Sequence, residues 1–391
     1  MRQRIMRPRP RPETKWTAFL RRSPDRAPRI ATPTSILLVA PYAPRGGGMG
    51  RIMAYLAAQG PLAGVQFEMV ESRGGGHAVL SLWRGFGAAL RILRAAVYEK
   101  PTIVHFACGD GGSVARKGAL LMLAHLLGLP TILHLHAADA GSFRTGMSHH
   151  ARHIIAILFR RASHCIVLNP FWHQWLVRDL GVNPDRISIV RNGVPQPQVA
   201  RCPVRGPSFT FLFAGNLLAR KGLPDLLHAL AALPSAASVK PWRLLIAGGG
   251  DSAIPRTLAE TLGIAAHVHF LGWQERSAMT SLLARADALV LPSYHEAMPL
   301  ALLEAASLGV PAVVTRVGAV PELFVDGHDA LLTTPGDRMG LCAALMRLMN
   351  DQPLAVRIGE NAHALYQRCF TMENFVAHIL EIYARVSVSH R

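Results

Sequence analysis

The sequence predicts an α/β protein made of two doubly wound, parallel-sheet (Rossmann-like) domains that face a central cleft. Three observations carry that reading. Short β-branched or apolar runs alternate with helical stretches along nearly the whole chain. Six such runs lie on either side of a polar, Pro-rich segment. The chain has 391 residues, enough for two domains of ordinary size, and 50% of them are hydrophobic against 17% charged. Parallel neighbours need crossover connections, and the intervening helical stretches supply them.

Strands are expected at SILLVA (35–40), FEMV (67–70), TIVHFA (102–107), TILHLH (131–136), CIVLN (165–169) and ISIVRNG (187–193). A second set follows at FTFLFAG (209–215), RLLIAGGG (243–250), VHFLG (268–272), ALVLPS (288–293), PAVVT (311–315) and ALLTT (330–334). Helices between them include RIMAYLAAQ, SLWRGFGAALRILRAAVYEK, DLLHALAAL and RSAMTSLLARA. The expected organisation is a basic disordered tail (1–30), an N-terminal domain (31–195), a linker (196–208), a C-terminal domain (209–370) and a closing helix (371–391). That last helix, within FTMENFVAHILEIYARV, is expected to pack back toward the N-terminal domain.

Composition narrows the function classes. The formal charge is +18, and residues 1–30 alone carry ten Arg or Lys against Glu13 and Asp25. An Arg/Pro-rich tail without an apolar period predicts disorder. It lacks the roughly 7–15-residue apolar segment of a signal peptide. No apolar run reaches the roughly 18 residues that span a bilayer; LLMLAHLLGLPTILHLH is broken by His125 and Pro130. Five scattered cysteines, never in CxxC, argue for a reducing compartment and against a metal cage. The expected location is cytoplasmic. So basic a surface leaves nucleic acid and an anionic membrane as partners. Nucleic-acid binding would need aromatics interleaved with the basic residues, and only 7% of the chain is aromatic, with no such patch.

Four motifs carry chemistry. VAPYAPRGGGMGRIMAYLA reads as strand, glycine loop and helix, with Gly46, Gly47, Gly48 and Gly50 letting backbone approach a ligand. Its spacing is not G-x-G-x-x-G. Glu71 nevertheless stands about where a dinucleotide site places its ribose-binding acid, so an oxidoreductase and a merely tight turn both remain open on this loop alone. FLFAGNLLARKGLPDLL repeats strand, loop and helix, and puts Arg220 and Lys221 beside free helix N–H groups, either as a diphosphate site or as a solvated basic loop. His134 and His136 end the fourth strand on one face, where a histidine orients a hydroxyl or is simply buried and satisfied. They lack a third ligand for zinc.

The fourth is YHEAMPLALLEAASLGVPAVV. Pro299 suits a first helical turn and Gly309 a C-cap, with Glu304 inside the helix and Glu296 ahead of it. Eight residues at helical rise is already about 12 Å, too far for a glycosidase carboxylate pair. A ligand rich in hydroxyls would span both; a core ion pair would satisfy Glu304 otherwise.

Taken in order, these pieces resemble glycosyltransferase family 4, retaining enzymes of the GT-B fold. The match is E-x7-E at Glu296 and Glu304, supported by LHLHAAD, VRNGV, FAGNLLARKG, LLIAGGGD, VHFLGW and ADALVLPS, and it covers about residues 35–385. The resemblance implies that Glu296 contacts the donor sugar, with Ala297, Met298 and Leu300 near sugar and phosphate, and that Glu304 binds the ribose. It implies diphosphate neutralisation by Lys221 with Arg220, a place for His136 at the reaction centre, and approach of Gly47 and Gly48 to phosphates or acceptor. The family's arginine after the seventh strand is Asn216 here, and Arg220 is expected to supply the missing charge. His136, Glu296 and Lys221 are thus the expected catalytic residues.

The implied reaction is same-side transfer of a hexose from a nucleoside diphosphate sugar. The chain contains no D-x-D, in keeping with a metal-independent site without cofactor. Basic amphipathic stretches at SLWRGFGAALRILRAA and 142–164 suit peripheral attachment to the inner face of an anionic cytoplasmic membrane, near a saccharide or lipid-linked acceptor. VHFACGDGGSVARKG resembles bacterial members acting in exopolysaccharide or lipopolysaccharide assembly. A sugar-nucleotide epimerase of the same fold is the alternative.

Overall fold

A computed structural model describes residues 35–41, 47–60, 64–71, 78–99, 102–138, 148–202, 208–234 and 240–388. The Arg-rich tail, Gly46 and the first part of the 142–164 stretch lie outside them.

The N-terminal sheet contains β1 (Ser35–Ala40), β2 (Gln66–Glu71), β3 (Thr102–Cys108), β4 (Thr131–Leu135), β5 (His164–Val167) and β6 (Ile187–Ile189) in the order β2-β1-β3-β4-β5-β6. All its pairings are parallel. The C-terminal sheet contains β7 (Phe209–Ala214), β8 (Trp242–Ala247), β9 (Val268–Gly272), β10 (Ala288–Leu291), β11 (Ala312–Thr315) and β12 (Leu331–Thr333) in the order β12-β11-β10-β7-β8-β9, also parallel. Each of the twelve runs read from the sequence carries one of these strands.

Both faces of each sheet are covered, and that is why the strands read as unbroken apolar runs. In β1, Ile36 and Leu38 face one core while Leu37 and Val39 face another. In β7, Leu212 and Ala214 share the first core, whereas Phe209, Phe211 and Phe213 build a third. Covering helices in the first domain are α1 (Gly47–Ala58), α2 (Ala78–Tyr98), α3 (Gly111–Leu126), α4 (His149–Arg161) and α5 (Pro170–Arg178). The second adds α6 (Leu223–Ala231), α7 (Ala253–Thr261), α8 (Arg276–Arg285), α9 (Leu300–Ser307), α10 (Val320–Leu323), α11 (Arg338–Asn350) and α12 (Gln352–Cys369).

The final helix, α13 (Met372–Val388), packs on α1. Its Phe375, Ile379 and Tyr383 join the core that contains both Ile52 and Leu303, so one apolar cluster runs through both domains. Near its start, Val194 bridges to Thr371 and accepts a hydrogen bond from the Tyr366 hydroxyl at 3.1 Å.

Strand order reverses beside β1 in the first sheet and beside β7 in the second. Ligands of open parallel sheets bind at such switch points, outside the carboxyl ends of the strands. Here both reversals open on one cleft of about 400 Å³.

Candidate active site

Every residue singled out above as catalytic or donor-binding lines this cleft: Gly47, Gly48 and His136 from the first domain, the rest from the second. Glu71 does not. It pairs with Arg84 of α2, which removes the acid that a dinucleotide site would need.

The C-terminal floor is made by two loops, one after β7 and one after β10. The first contains Asn216 and a 3₁₀ turn, Ala219–Lys221, closed by Gly222 in the left-handed conformation (φ 67°). The second contains Ser293 to Pro299 and leads into α9. Two hydrogen bonds join the loops: Tyr294 N–H donates to the Arg220 carbonyl at 2.8 Å, and the Arg220 guanidinium donates to the His295 carbonyl at 2.8 Å.

That stapling brings Lys221 Nζ to 2.5 Å from Glu296 Oε1. The same oxygen accepts from Ser293 Oγ at 2.9 Å, and Arg220 Nη1 stands 3.7 Å from Oε2. Glu296 is only 7% exposed. A carboxylate so deeply placed is costly unless paired and hydrogen-bonded; two cations and a hydroxyl meet that need. Asn216, at the family's arginine position, is exposed at the cleft.

Glu304 lies one and a half turns into α9, and its partners come from the opposite domain. Arg51 Nη1 donates to both carboxylate oxygens, at 3.1 and 3.3 Å, and Tyr55 OH donates to Oε1 at 3.1 Å. Arg51 and Tyr55 stand four apart on α1, hence on one face. The Arg276 guanidinium of α8 packs 4.7 Å from the centre of the Tyr55 ring, a second contact between domains. The glutamate therefore finds a cation on a helix of the other domain. Oε1 takes two donors, while Oε2 takes one long bond and keeps free acceptor capacity on its cleft side.

His136 follows the end of β4, and its backbone N–H donates to the Cys108 carbonyl at 2.6 Å. Burial above all, with smaller electrostatic contributions from His105 and Lys117, pushes its pKa down to about 3. The imidazole is therefore neutral at physiological pH. Its Nε2 is shielded from solvent and has no partner among the described residues.

Several residues in or behind the cleft had no role assigned from the sequence. Tyr55 and Ser293 stand behind it, holding Glu304 and Glu296. Trp273 and Gln274, after β9, line the cleft, as does Asn192, whose backbone N–H reaches Met298 Sδ at 3.3 Å. Asn192, Trp273, Ser293 and Tyr55 all fall in marked stretches (VRNGV, VHFLGW, ADALVLPS and the glycine-loop helix), but none had a role of its own there.

Comparison with known proteins agrees with this geometry. Residues 46–198 match the family model "Glycosyltransferase Family 4", and residues 201–365 match "Glycosyl transferases group 1". A glycogen synthase of Mycobacterium tuberculosis is 30% identical over 304 residues, spanning 75% of this chain and 69% of that protein. The chain belongs to glycosyltransferase family 4. The glycosyltransferase is also 28% identical to a lipopolysaccharide core biosynthesis glycosyltransferase, LpsE, of Rhizobium meliloti, over 57% of this chain and 65% of that one. An exopolysaccharide phosphotransferase of Streptomyces coelicolor is 36% identical over 51% of this chain but only 21% of its own length. Among solved structures, Anabaena HepE in complex with UDP and glucose superposes with a TM-score of 0.71 at 18% identity, covering 89% of this chain and 99% of that one. Sucrose-phosphate synthase of Thermosynechococcus elongatus gives 0.74 at 17% identity, covering 91% and 100%. These likenesses show the GT-B fold. Family membership makes the chain an enzyme that transfers glycosyl groups, in place of the epimerase, oxidoreductase or nucleic-acid-binding readings.

Proposed function

We propose that this glycosyltransferase moves a hexose, with retention of configuration, from a nucleoside diphosphate sugar to a lipid-linked saccharide in cell-surface polysaccharide assembly. The observation that carries the reading is the buried Lys221–Glu296 pair with Arg220 beside it, set where two strand-end loops meet. In such a reaction the sugar C–O bond breaks and the diphosphate leaves with its electron pair. The acceptor hydroxyl adds on the same face and passes its proton to the departing phosphate oxygen. Lys221, Arg220 and the amides of Ala297, Met298 and Leu300 would stabilise the charge developing on the leaving group, a preorganised electrostatic effect. Glu296 would accept hydrogen bonds from the sugar, the free side of Glu304 from the ribose, and His136 would line the sugar's place from the first domain. No covalent enzyme nucleophile enters, and with two cations at the phosphates the transfer needs no metal. The names of LpsE and of the exopolysaccharide phosphotransferase support the polysaccharide assignment, and the UDP and glucose bound by HepE support the donor class.

The test is thermal denaturation against UDP-, GDP- and ADP-sugars. A nucleotide present at 100 times its Kd adds about 2.7 kcal/mol to apparent stability. One base is expected to raise the melting temperature, and nucleoside diphosphate release with that donor is expected to persist in EDTA. No shift with any of the three at millimolar concentration would sink the proposal.

The membrane reading has its support on α2. This helix buries Ala88, Ile92, Ala95 and Ala96 on one face, yet exposes Leu82, Phe86, Leu90, Leu93 and Val97 along another, with Leu82 at 76% and Phe86 at 65%. A surface helix apolar on both faces marks an interaction site. Arg94 on α2 is exposed, as are Arg160 and Arg161 on α4, which packs on α3 as α2 does. Among the described residues no helix is long and apolar enough to cross a membrane, so attachment would be peripheral, by apolar insertion with basic residues on anionic headgroups. Co-sedimentation with anionic vesicles at low salt is expected for the native chain and not for Leu82→Glu/Phe86→Glu; equal sedimentation of both would refute docking through α2.

A further inference from the structure

A line of buried polar groups runs from the last helix to the cleft, and nothing above uses it. Tyr383 of α13 is fully buried, and its hydroxyl lies 2.7 Å from His105 Nδ1 on β3. His105 Nε2 lies 3.3 Å from His134 Nδ1 on the neighbouring strand β4. The His134 ring packs against His136, with centroids 4.0 Å apart and planes at 33°. His105 and His134 are both completely buried. Three imidazoles and a phenol in an otherwise apolar layer are expensive, since each buried polar group costs free energy unless it is hydrogen-bonded.

The hydrogens do not balance. Burial keeps both imidazoles of the chain neutral, so each carries one N–H. With the phenol, Tyr383–His105–His134 has three hydrogens for two hydrogen bonds. If Tyr383 donates to His105 and His105 donates onward, the Nε2–H of His134 and the acceptor side of the phenol oxygen are left over. If the direction reverses, the Tyr383 hydroxyl hydrogen and the Nε2 lone pair of His134 are left over. The first arrangement wins because a phenol, with an ordinary pKa of about 10, is a far better donor than a neutral imidazole N–H, and an imidazole nitrogen is the better acceptor. In either direction His134 Nε2 has no partner among the described residues. The phenol of Tyr383 thus sets the tautomer of a histidine two residues from the cleft-lining His136.

We propose that Tyr383 and His105 are positioning residues for glycosyl transfer. They fix His134 as its Nε2–H tautomer and so hold the stacked ring of His136 in register at the reaction centre. In this way α13, the last element of the chain, completes the first domain's half of the cleft. The proposal rests on His136 standing at the reaction centre.

The test uses the full chain with ¹⁵N-labelled histidine, its Tyr383→Phe variant, and His105→Gln as a second variant. Removing the phenol removes the strong donor that sets the direction. Long-range ¹H–¹⁵N spectra are expected to show one His134 tautomer in the native chain and a mixture in Tyr383→Phe. Hydrogen-bond partners that orient a metal-ligating histidine are worth about 10–100-fold in activity, and the lower end of that range is expected for a ring held by packing. With UDP-glucose as probe, kcat should fall by about tenfold in Tyr383→Phe while KM for the donor stays within about twofold. His105→Gln should reproduce that split. An unchanged tautomer in Tyr383→Phe overturns the relay. So does an unchanged kcat beside a changed tautomer, or a loss of activity that follows lost thermal stability and vanishes on cooling. The spectra need no donor. A native chain that ignores UDP-glucose would count against the donor reading, and the relay would still be decided by the tautomer.

Discussion

Lys221→Ala is expected to lower the rate of glycosyl transfer by about 10²–10³-fold, the usual cost of removing one preorganised donor from a developing anion. The loss should fall on kcat more than on KM, because the charge that Lys221 meets is larger on the departing diphosphate than in the bound donor. Its ammonium sits 2.5 Å from Glu296 Oε1, so the substitution also leaves a carboxylate that is 7% exposed without its nearest cation. Breaking a buried pair from one side costs about 3–5 kcal/mol. Ser293 Oγ at 2.9 Å and Arg220 at 3.7 Å remain on the same carboxylate, so the cost should lie at the low end and the chain should stay folded. Glu296→Ala should abolish transfer as well, since it removes the expected contact to the sugar. Nucleoside diphosphate release and far-UV circular dichroism on the two variants make the measurement. Native kcat in either would remove the catalytic role assigned to this pair.

Gly222→Ala is expected to damage the same site from behind. Gly222 follows Lys221, closes its 3₁₀ turn and starts α6 at φ 67°. An alanine pays for the left-handed conformation, about 1 kcal/mol. The larger cost is steric: its Cβ would lie 2.0 Å from the backbone oxygen of Pro292. Pro292 precedes Ser293, the residue that holds Glu296, so relief of the clash must separate the Lys221 turn from the end of β10. A loss of about 2–4 kcal/mol in stability is expected from the combined strain and backbone shift, together with a fall in kcat resembling that of Lys221→Ala. Urea midpoints and initial rates would show it. A variant with native midpoint and native rate would mean that the turn and the strand end are not coupled.

Much of the fold was legible because parallel strands covered on both faces must be apolar at every position. SILLVA is Ser35–Ala40 to the residue. Ends were less legible: ISIVRNG contains only Ile187–Ile189 as strand, since its partner β5 ends at Val167. The residues of the site were legible for a related reason. They follow strand ends, where glycine, proline and charge interrupt an apolar run, and E-x7-E places two carboxylates across one such interruption. Arg51 and Tyr55 were not legible as partners of Glu304, although both stand in the marked glycine-loop helix. Neither was the Tyr383–His105 contact.

The sequence by itself determined two parallel α/β domains, the strand-end loop that carries Arg220 and Lys221, and a glutamate in α9 that needed a partner. Tertiary structure alone decided who that partner is. Arg51 and Glu304 are 253 residues apart, and Tyr383 and His105 are 278 apart. Local spacing specifies faces and turns, because those depend on the repeat of helix and strand. Contacts over such separations depend on how the two sheets meet and on where α13 returns, and no local period contains that information.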